Sequence, residues 1–249
     1  MQKLLDSQQG ALERVSASYR RGSVQDDWMR RLCVRVISPW LRPTDRLIEI
    51  GCSDGLMTQM LAAKVSHVTV VEASKYFVNE LQKRGLSNVS VHHAMAESFT
   101  PEEKFDGVVL TWVLTHVIDA EQLLKKLKTW LKPDGMIFVA VPNARVLSRQ
   151  LALHMNLLSD LFALTANDRD HGHVRAYDRA RLNSQLDQAG YETLEQSGLM
   201  LKPLADFQMD ALYANGILSD AHVDGLFSLG REYPDLASAL FSVCKARNV

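Results

Sequence analysis

The chain has 249 residues, a formal net charge of −1, 47% hydrophobic and 23% charged residues, 13 glycines and 7 prolines, which excludes fibres, disordered tails and disulfide-dense miniproteins. A chain of this size buries roughly 70–75% of the surface it exposes when unfolded, so its core needs no covalent staples. Cys33, Cys52 and Cys244 are widely spaced and form no CxxC pair, which fits a reducing, cytoplasmic setting, and the near-zero charge offers no broad positive field for nucleic acid.

Residues 1–21 are polar and helical in character and lack the apolar core of a signal peptide. No apolar run approaches the length that spans a bilayer. In residues 24–38, Trp28, Leu32 and Val36 recur at a spacing of four and predict a helix that Pro39 ends. Short apolar runs at 47–50, 68–71, 89–91, 108–110 and 136–141 read as strands, separated by helical stretches at 55–64, 74–84 and 119–132. In the last helix Asp119 is placed to cap, Leu123, Leu124, Leu127, Trp130 and Leu131 share a face, and Pro133-Asp134-Gly135 marks the end. Such alternation predicts a parallel α/β sheet covered by helices on both faces, because a parallel crossover needs a connection of helix length. Beyond it the sequence predicts an apolar-rich helical insertion at 144–166, a polar segment at 167–175, a helix at 178–189 stopped by Gly190, a strand near 191–200, mostly helix at 203–236 and a final strand at 240–244.

The stretch Glu49-Ile50-Gly51-Cys52-Ser53-Asp54-Gly55 follows a strand and opens a helix. Glycines there let the backbone pass close under a ligand, and the helix aims its free amides at the same place. Glu72 ends the next strand, about twenty residues on, where a carboxylate accepts both hydroxyls of a ribose. This is a nucleoside crevice. The spacing is G-x-S-x-G rather than the G-x-G-x-x-G of dinucleotide folds. Glu49 and Asp54 would repel a pyrophosphate but hold an ammonium group, so the ligand expected is cationic.

These residues resemble the class I S-adenosylmethionine-dependent methyltransferases, in the small-molecule branch that includes ubiquinone, menaquinone, sugar and natural-product methyltransferases. The resemblance covers about residues 45–200. Glu49 to Gly55 is similar to the family's E/D-x-G-x-G-x-G, with Ser53 in place of the middle glycine. Val70-Val71-Glu72-Ala73 is similar to the ribose motif, and Ala94-Met95-Ala96-Glu97 takes the place of the adenine motif Asp-Ala-Glu. Residues 105–117, through Thr111, Trp112 and His116, resemble D-x-V-x-x-x-x-V-L-E-H-V, and Leu131-Lys132-Pro133-Asp134-Gly135 resembles L-K-P-G-G. The resemblance implies a doubly wound, Rossmann-like, seven-stranded and mostly parallel sheet with an antiparallel last strand and helical cap insertions. It implies one methyltransferase domain over 1–249: a helical cap to 44, a cofactor-binding core at 45–143, a helical insertion and acceptor loop at 144–177, and a C-terminal sheet portion at 178–249 carrying the 203–236 insertion.

On this resemblance S-adenosylmethionine, leaving as S-adenosylhomocysteine, contacts Glu49, Gly51, Cys52, Ser53, Asp54, Gly55, Glu72, Ala73, Met95, Ala96, Glu97, Thr111 and Trp112. Met95 stands where the family has an aspartate, which leaves it to pack on the adenine ring. Thr115 replaces the glutamate before His116 and no acid stands at Trp112, so the Glu-x-x-Glu-His metal site of some relatives is missing and no metal is expected. Asp170 to Tyr177 holds an H-x-R-x-Y segment that in many relatives faces the acceptor. His173, His116 and Tyr177 are the candidate catalytic groups, and His171 and Arg175 the candidate substrate contacts. Cys52 reads as a small buried side chain, and His92 and His93 as structural. The expected activity is methyl transfer to a hydroxyl or amine of a small molecule by a cytoplasmic monomer or homodimer that inserts in no membrane. A non-catalytic S-adenosylmethionine-binding regulator and an RNA methyltransferase stay open as alternatives.

Overall fold

Three apolar side chains four residues apart fix the first long helix. In the computed structural model, which describes residues 8–10, 12–16 and 24–247, helix α1 (Val24–Ile37) buries Trp28, Leu32 and Val36 together. Asp26 and Asp27 in its first turn and Arg35 in its last suit the helix dipole, and Pro39 lies in the 3₁₀ turn Ser38–Trp40 that ends it. Residues 8–10 and 12–16 are also helical. The rest of the expected cap, at 1–7, 11 and 17–23, lies outside the described residues.

Seven strands follow: β1 (Arg46–Ile50), β2 (His67–Glu72), β3 (Val89–His93), β4 (Phe105–Thr111), β5 (Leu131–Pro142), β6 (Tyr191–Gly198) and β7 (Ala239–Ala246). They form one sheet in the order β3-β2-β1-β4-β5-β7-β6. The first five are parallel, and β7 alone runs against its neighbours β5 and β6. Helices α2 (Leu56–Ala62), α3 (Lys75–Gln82) and α4 (Ala120–Trp130) are the crossovers after β1, β2 and β4. Buried side chains of β1 alternate between two apolar cores, Leu47 joining α1 and α2 on one face and Ile48 joining α4 on the other. This is why the central strands read as continuous apolar runs.

Two local expectations differ from the structure. Helix α4 is capped by Asp119, which accepts from the Gln122 amide at 2.9 Å, but it ends at Trp130 and Leu131 already pairs with Phe105 in the sheet. The next paired residues are Gly107 and Met136, so Lys132 to Gly135 bulge out of strand β5. The stretch 144–166 is not one helical insertion. Only α5 (Leu147–His154) is helical there, it buries no residue, and Asn156 turns the chain away with φ 59°. Of its leucines, Leu151 and Leu157 are exposed and the others only half-buried.

Three further helices complete the upper layer: α6 (Ala166–Asp170), α8 (Asp206–Ala214) and α9 (Asp220–Glu232), while α7 (Arg179–Gln188) leads into β6. Helix α1 ties α8 to the sheet, since the Trp28 and Tyr213 rings meet edge-on at 4.9 Å and Gln25 Nε2 donates to the Asp206 carbonyl at 2.6 Å. Helix α9 lies against β6 so closely that a methyl group on Gly198 would come within 2.3 Å of the Gly230 carbonyl oxygen. No helix among the described residues is long and apolar enough to cross a membrane.

Candidate active site

Strand order reverses between β1 and β4, and an open α/β sheet binds ligands in the crevice beyond the carboxyl ends of its strands at such a point. The turn after β1 has three residues in the left-handed region, Gly51 at φ 75°, Ser53 at 50° and Gly55 at 80°. Successive turns of this kind fan backbone amides toward one side. The glycines have a nearer cause than the ligand: a Cβ on Gly51 would lie 2.9 Å from Val113 Cγ2, and one on Gly55 would lie 2.7 Å from Leu81 Cδ1. Ser53 holds a conformation that costs a side-chain-bearing residue roughly 1–2 kcal/mol. Asp54 spends one oxygen on the Leu56 amide, at 3.0 Å, at the start of α2.

Glu72, at the carboxyl end of β2, is buried and ties that strand end to the turn after β1. Its Oε2 accepts from the Cys52 amide and its Oε1 from the Ser74 amide, each at 2.8 Å. Burial pushes its pKa up, and the amide hydrogen bonds oppose that. Cys52 is buried and its thiol is pushed well up by burial and by Glu72 and Glu49, as suits an inert packing residue.

Glu49 lies beneath the turn rather than in the crevice. It is 1% exposed, and Thr58 Oγ1 donates to its Oε2 at 2.5 Å. Burial pushes its pKa up to about 8, against the Thr58 hydrogen bond and with the help of Glu72. The turn is therefore less anionic than its composition suggests. A raised carboxyl pKa means that the folded chain keeps a proton that the unfolded chain releases above about pH 4.3. The stability this gives is full below that pH and is lost as pH rises to about 8. Glu49→Gln is therefore expected to raise the melting temperature of the ligand-free protein by about 5 °C at pH 9 and hardly at pH 5. Equal increments at both pH values in scanning fluorimetry would contradict the assignment.

Met95 and Ala96 are buried just past β3, and the Met95 carbonyl accepts from the Ser98 and Phe99 amides at 3.1 and 3.0 Å. The neighbouring Glu97 offers its carbonyl to Lys126 Nζ at 2.6 Å. Thr111 is buried, with its hydroxyl 3.7 Å from Met57 Sδ. Trp112, half-buried, holds a left-handed φ of 58° at the end of β4, and its amide donates to the Ala140 carbonyl at 2.8 Å. The Ala73 carbonyl, on the rim beside Glu72, receives Gln9 Nε2 and lies 3.1 Å from His93 Nε2. The His92 ring meets that of Phe99 at a tilt of 49°, with centroids 4.9 Å apart.

The second half of the site is the loop after α6, pinned to the turn after β4. The Val174 amide donates to the Thr115 carbonyl at 2.8 Å, and His116 Nδ1 lies 3.2 Å from the Gly172 carbonyl. This brings the His116 and His173 rings together edge-to-face at 4.9 Å. Burial first, and then the neighbouring His173, push the His116 pKa down to about 4, so its imidazole is neutral at physiological pH. His171 is exposed, with Nδ1 2.7 Å from the Asn167 carbonyl, and its ring is 6.5 Å from that of His173. Arg175 Nη2 donates to the Ile118 carbonyl at 2.5 Å. Tyr177 is turned away: it is 3% exposed in the core beneath the loop, and its hydroxyl donates to Gln185 on α7. Among the described residues no three His, Cys, Asp or Glu side chains form a group able to hold a metal ion.

Several residues absent from the sequence reading stand at the site. Arg30 on α1 is 8% exposed, with Nη1 3.4 Å from Asp54 Oδ2 and Nη2 3.4 Å from Ser53 Oγ. Nothing in the sequence separates it from its neighbour Arg31. The helical residues 8–10 and 12–16 reach across the strand ends: Gln8 Nε2 donates to the His116 carbonyl at 2.6 Å, Glu13 accepts from the Lys75 amide at 3.0 Å, and Ser16 accepts from the Ser74 hydroxyl at 2.8 Å.

A reversed parallel sheet, a left-handed glycine turn and a buried acid at the next strand end define a nucleoside-binding α/β enzyme of the S-adenosylmethionine-dependent methyltransferase class. A family profile described as a methyltransferase domain matches residues 18–196, and the chain belongs to that family. It is 26% identical over 183 residues to a ubiquinone biosynthesis O-methyltransferase of Colwellia psychrerythraea, covering 70% of this chain and 72% of the relative. It is 32% identical over 99 residues to (S)-coclaurine N-methyltransferase of Thalictrum flavum, covering 37% of this chain and 27% of that one. Among solved structures, the N-methyltransferase NodS of Bradyrhizobium japonicum in complex with S-adenosylhomocysteine superposes with a TM-score of 0.57 at 15% identity, over 88% of this chain and 86% of its own, a likeness of fold. The chain is an S-adenosylmethionine-dependent methyltransferase, with the seven-stranded fold that its motifs imply.

Proposed function

We propose that the chain methylates a hydroxyl group on a small molecule, with Glu72 holding the cofactor ribose and His173 removing the acceptor proton. The observation that supports this most is the pairing of His173 with a neutral His116 at the carboxyl end of β4, the strand beside the glycine turn. S-adenosylmethionine supplies an electrophilic methyl group whose bond electrons stay on sulfur as the acceptor oxygen takes the methyl. Its fit rests on Glu72, whose oxygens are fixed by two amides yet retain acceptor capacity, and on the fanned amides of residues 51–55. In this reading Met95 packs on the adenine, Trp112 walls the methionine end and Arg30 faces the cofactor carboxylate. His171 and Arg175 lie toward the acceptor, and Tyr177 supports the loop from below.

A hydroxyl must lose a proton during the transfer, whereas a neutral amine needs orientation alone, so a fixed imidazole favours the hydroxyl. The net charge of −1 supports a small molecule over RNA. Three free, buried cysteines support a cytoplasmic place, and a single domain over 1–249, as monomer or homodimer, fits the one continuous sheet. The test is release of S-adenosylhomocysteine in the presence of catechols, sugars, primary and secondary amines, and transfer RNA. Turnover is expected with a hydroxyl acceptor, and turnover confined to amines or RNA would refute the reading.

A further inference from the structure

We propose that Asp168 is the positioning residue of the site: it holds the proton of His173 on Nδ1 and so leaves Nε2 free to accept the proton of the substrate hydroxyl. This rests on the reading of His173 as the base, and it concerns a carboxylate to which neither the motifs nor the family resemblance gives a role.

The geometry is a chain of three groups. Arg149 on α5 places Nη1 3.1 Å from Asp168 Oδ2, and the Thr165 amide and hydroxyl donate to the same oxygen at 2.8 Å each. The other oxygen, Oδ1, is left to face His173 Nδ1 at 3.6 Å, within ion-pair range. The His173 amide also donates to the Asp168 carbonyl at 2.9 Å, which fixes the loop on α6. Both side chains of the pair are less than one-fifth exposed, at 18% for His173 and 19% for Asp168. Burial by itself would raise the Asp168 pKa, but the contacts from His173, Thr165 and Arg149 outweigh it and hold the carboxyl well below the usual carboxylate range. A carboxylate that stays ionised beside Nδ1 prefers the tautomer with a proton there. It also stabilises the imidazolium that forms when Nε2 takes a proton. The other groups around His173 do neither: His116 is a neutral ring, His171 is exposed at 6.5 Å, and Arg149 is turned onto Asp168.

The three donors on Oδ2 make one substitution decisive. In Asp168→Asn they would hold the amide oxygen in the place of Oδ2, and the NH₂ group would then face His173 and donate to Nδ1. The proton of the ring would move to Nε2, the nitrogen that must be bare. Asp170→Asn serves as the control, because it makes the same change on an exposed carboxylate of α6 two residues away.

The experiment is two-dimensional long-range ¹H–¹⁵N NMR of the full chain, with the His173 signals assigned through His173→Gln, run beside steady-state kinetics on the hydroxyl acceptor. Wild type and Asp170→Asn are expected to show the Nδ1–H tautomer, and Asp168→Asn the Nε2–H tautomer. The kcat of Asp168→Asn is expected to fall by about 100-fold with KM within about threefold, the loss of one general base. An unchanged tautomer in Asp168→Asn, or an equal change in Asp170→Asn, overturns the proposal. If the tautomer flips while activity survives, Asp168 positions the ring as proposed and the reading of His173 as the base fails instead.

Discussion

Replacing Glu72 with alanine is expected to weaken S-adenosylhomocysteine binding by about 100-fold or more, the largest effect of any single substitution on the cofactor side. Two causes add. The ribose loses hydrogen bonds to a charged acceptor, each worth about 1.5–3 kcal/mol. The Cys52 and Ser74 amides, which now donate to Glu72 at 2.8 Å, lose their acceptor, and the glycine turn loses its anchor to β2. Glu72→Gln keeps the volume and one acceptor oxygen, so about a tenfold loss is expected there. Isothermal titration with S-adenosylhomocysteine checks both values, and a Glu72→Ala protein binding within twofold of wild type would remove Glu72 from the cofactor.

His173→Gln is expected to lower kcat by about 10²–10⁴-fold with little change in cofactor affinity, because it removes the proton acceptor and leaves the β1 side untouched. His116→Asn makes the contrast. Its imidazole is neutral, with a pKa pushed down to about 4, and Nδ1 is engaged with the Gly172 carbonyl at 3.2 Å. Loss of that ring loosens the loop that carries His173, so a decrease below about tenfold is expected, mostly in KM. Rates measured across both variants with the same acceptor decide between the two histidines. A His116→Asn protein slower than His173→Gln would exchange their roles.

The parts of this site that sequence made legible are those built by short-range rules. Strand β1, the Gly51 to Gly55 turn and Glu72 lie within the 27 residues from Arg46 to Glu72, and each leaves a local mark: an apolar run, a glycine where φ is positive, an acid at a strand end. Arg30 leaves no such mark, because its burial depends on α1 lying over a turn twenty residues further along. Contacts of Gln8, Gln9 and Glu13 with the strand ends are equally silent, since glutamine and glutamate side chains meeting distant backbone groups follow no periodicity. Leucine content misled at 144–166, where Leu151 and Leu157 face solvent and give no burial with which to extend a helix. Asp168 was visible only as one of several polar residues before a histidine. Its role comes from Arg149 and Thr165, which converge on it from α5 and from the start of α6.

The acceptor side also separates groups that the motif places together. His171, His173, Arg175 and Tyr177 alternate along the chain, yet His173 turns inward to His116 and Asp168, His171 outward to solvent, and Tyr177 down to Gln185. The proposed base, His173, thus has a carboxylate on one side and a neutral ring on the other.

The most direct test of the account is where a labelled methyl group goes. Trideuteromethyl S-adenosylmethionine, incubated with the wild-type chain and the acceptor found by screening, is expected to give a product with the label on oxygen and one S-adenosylhomocysteine per product, and His173→Gln is expected to form that product at least about 100-fold more slowly. Label on nitrogen or carbon, or an unchanged rate of oxygen methylation in His173→Gln, would contradict it.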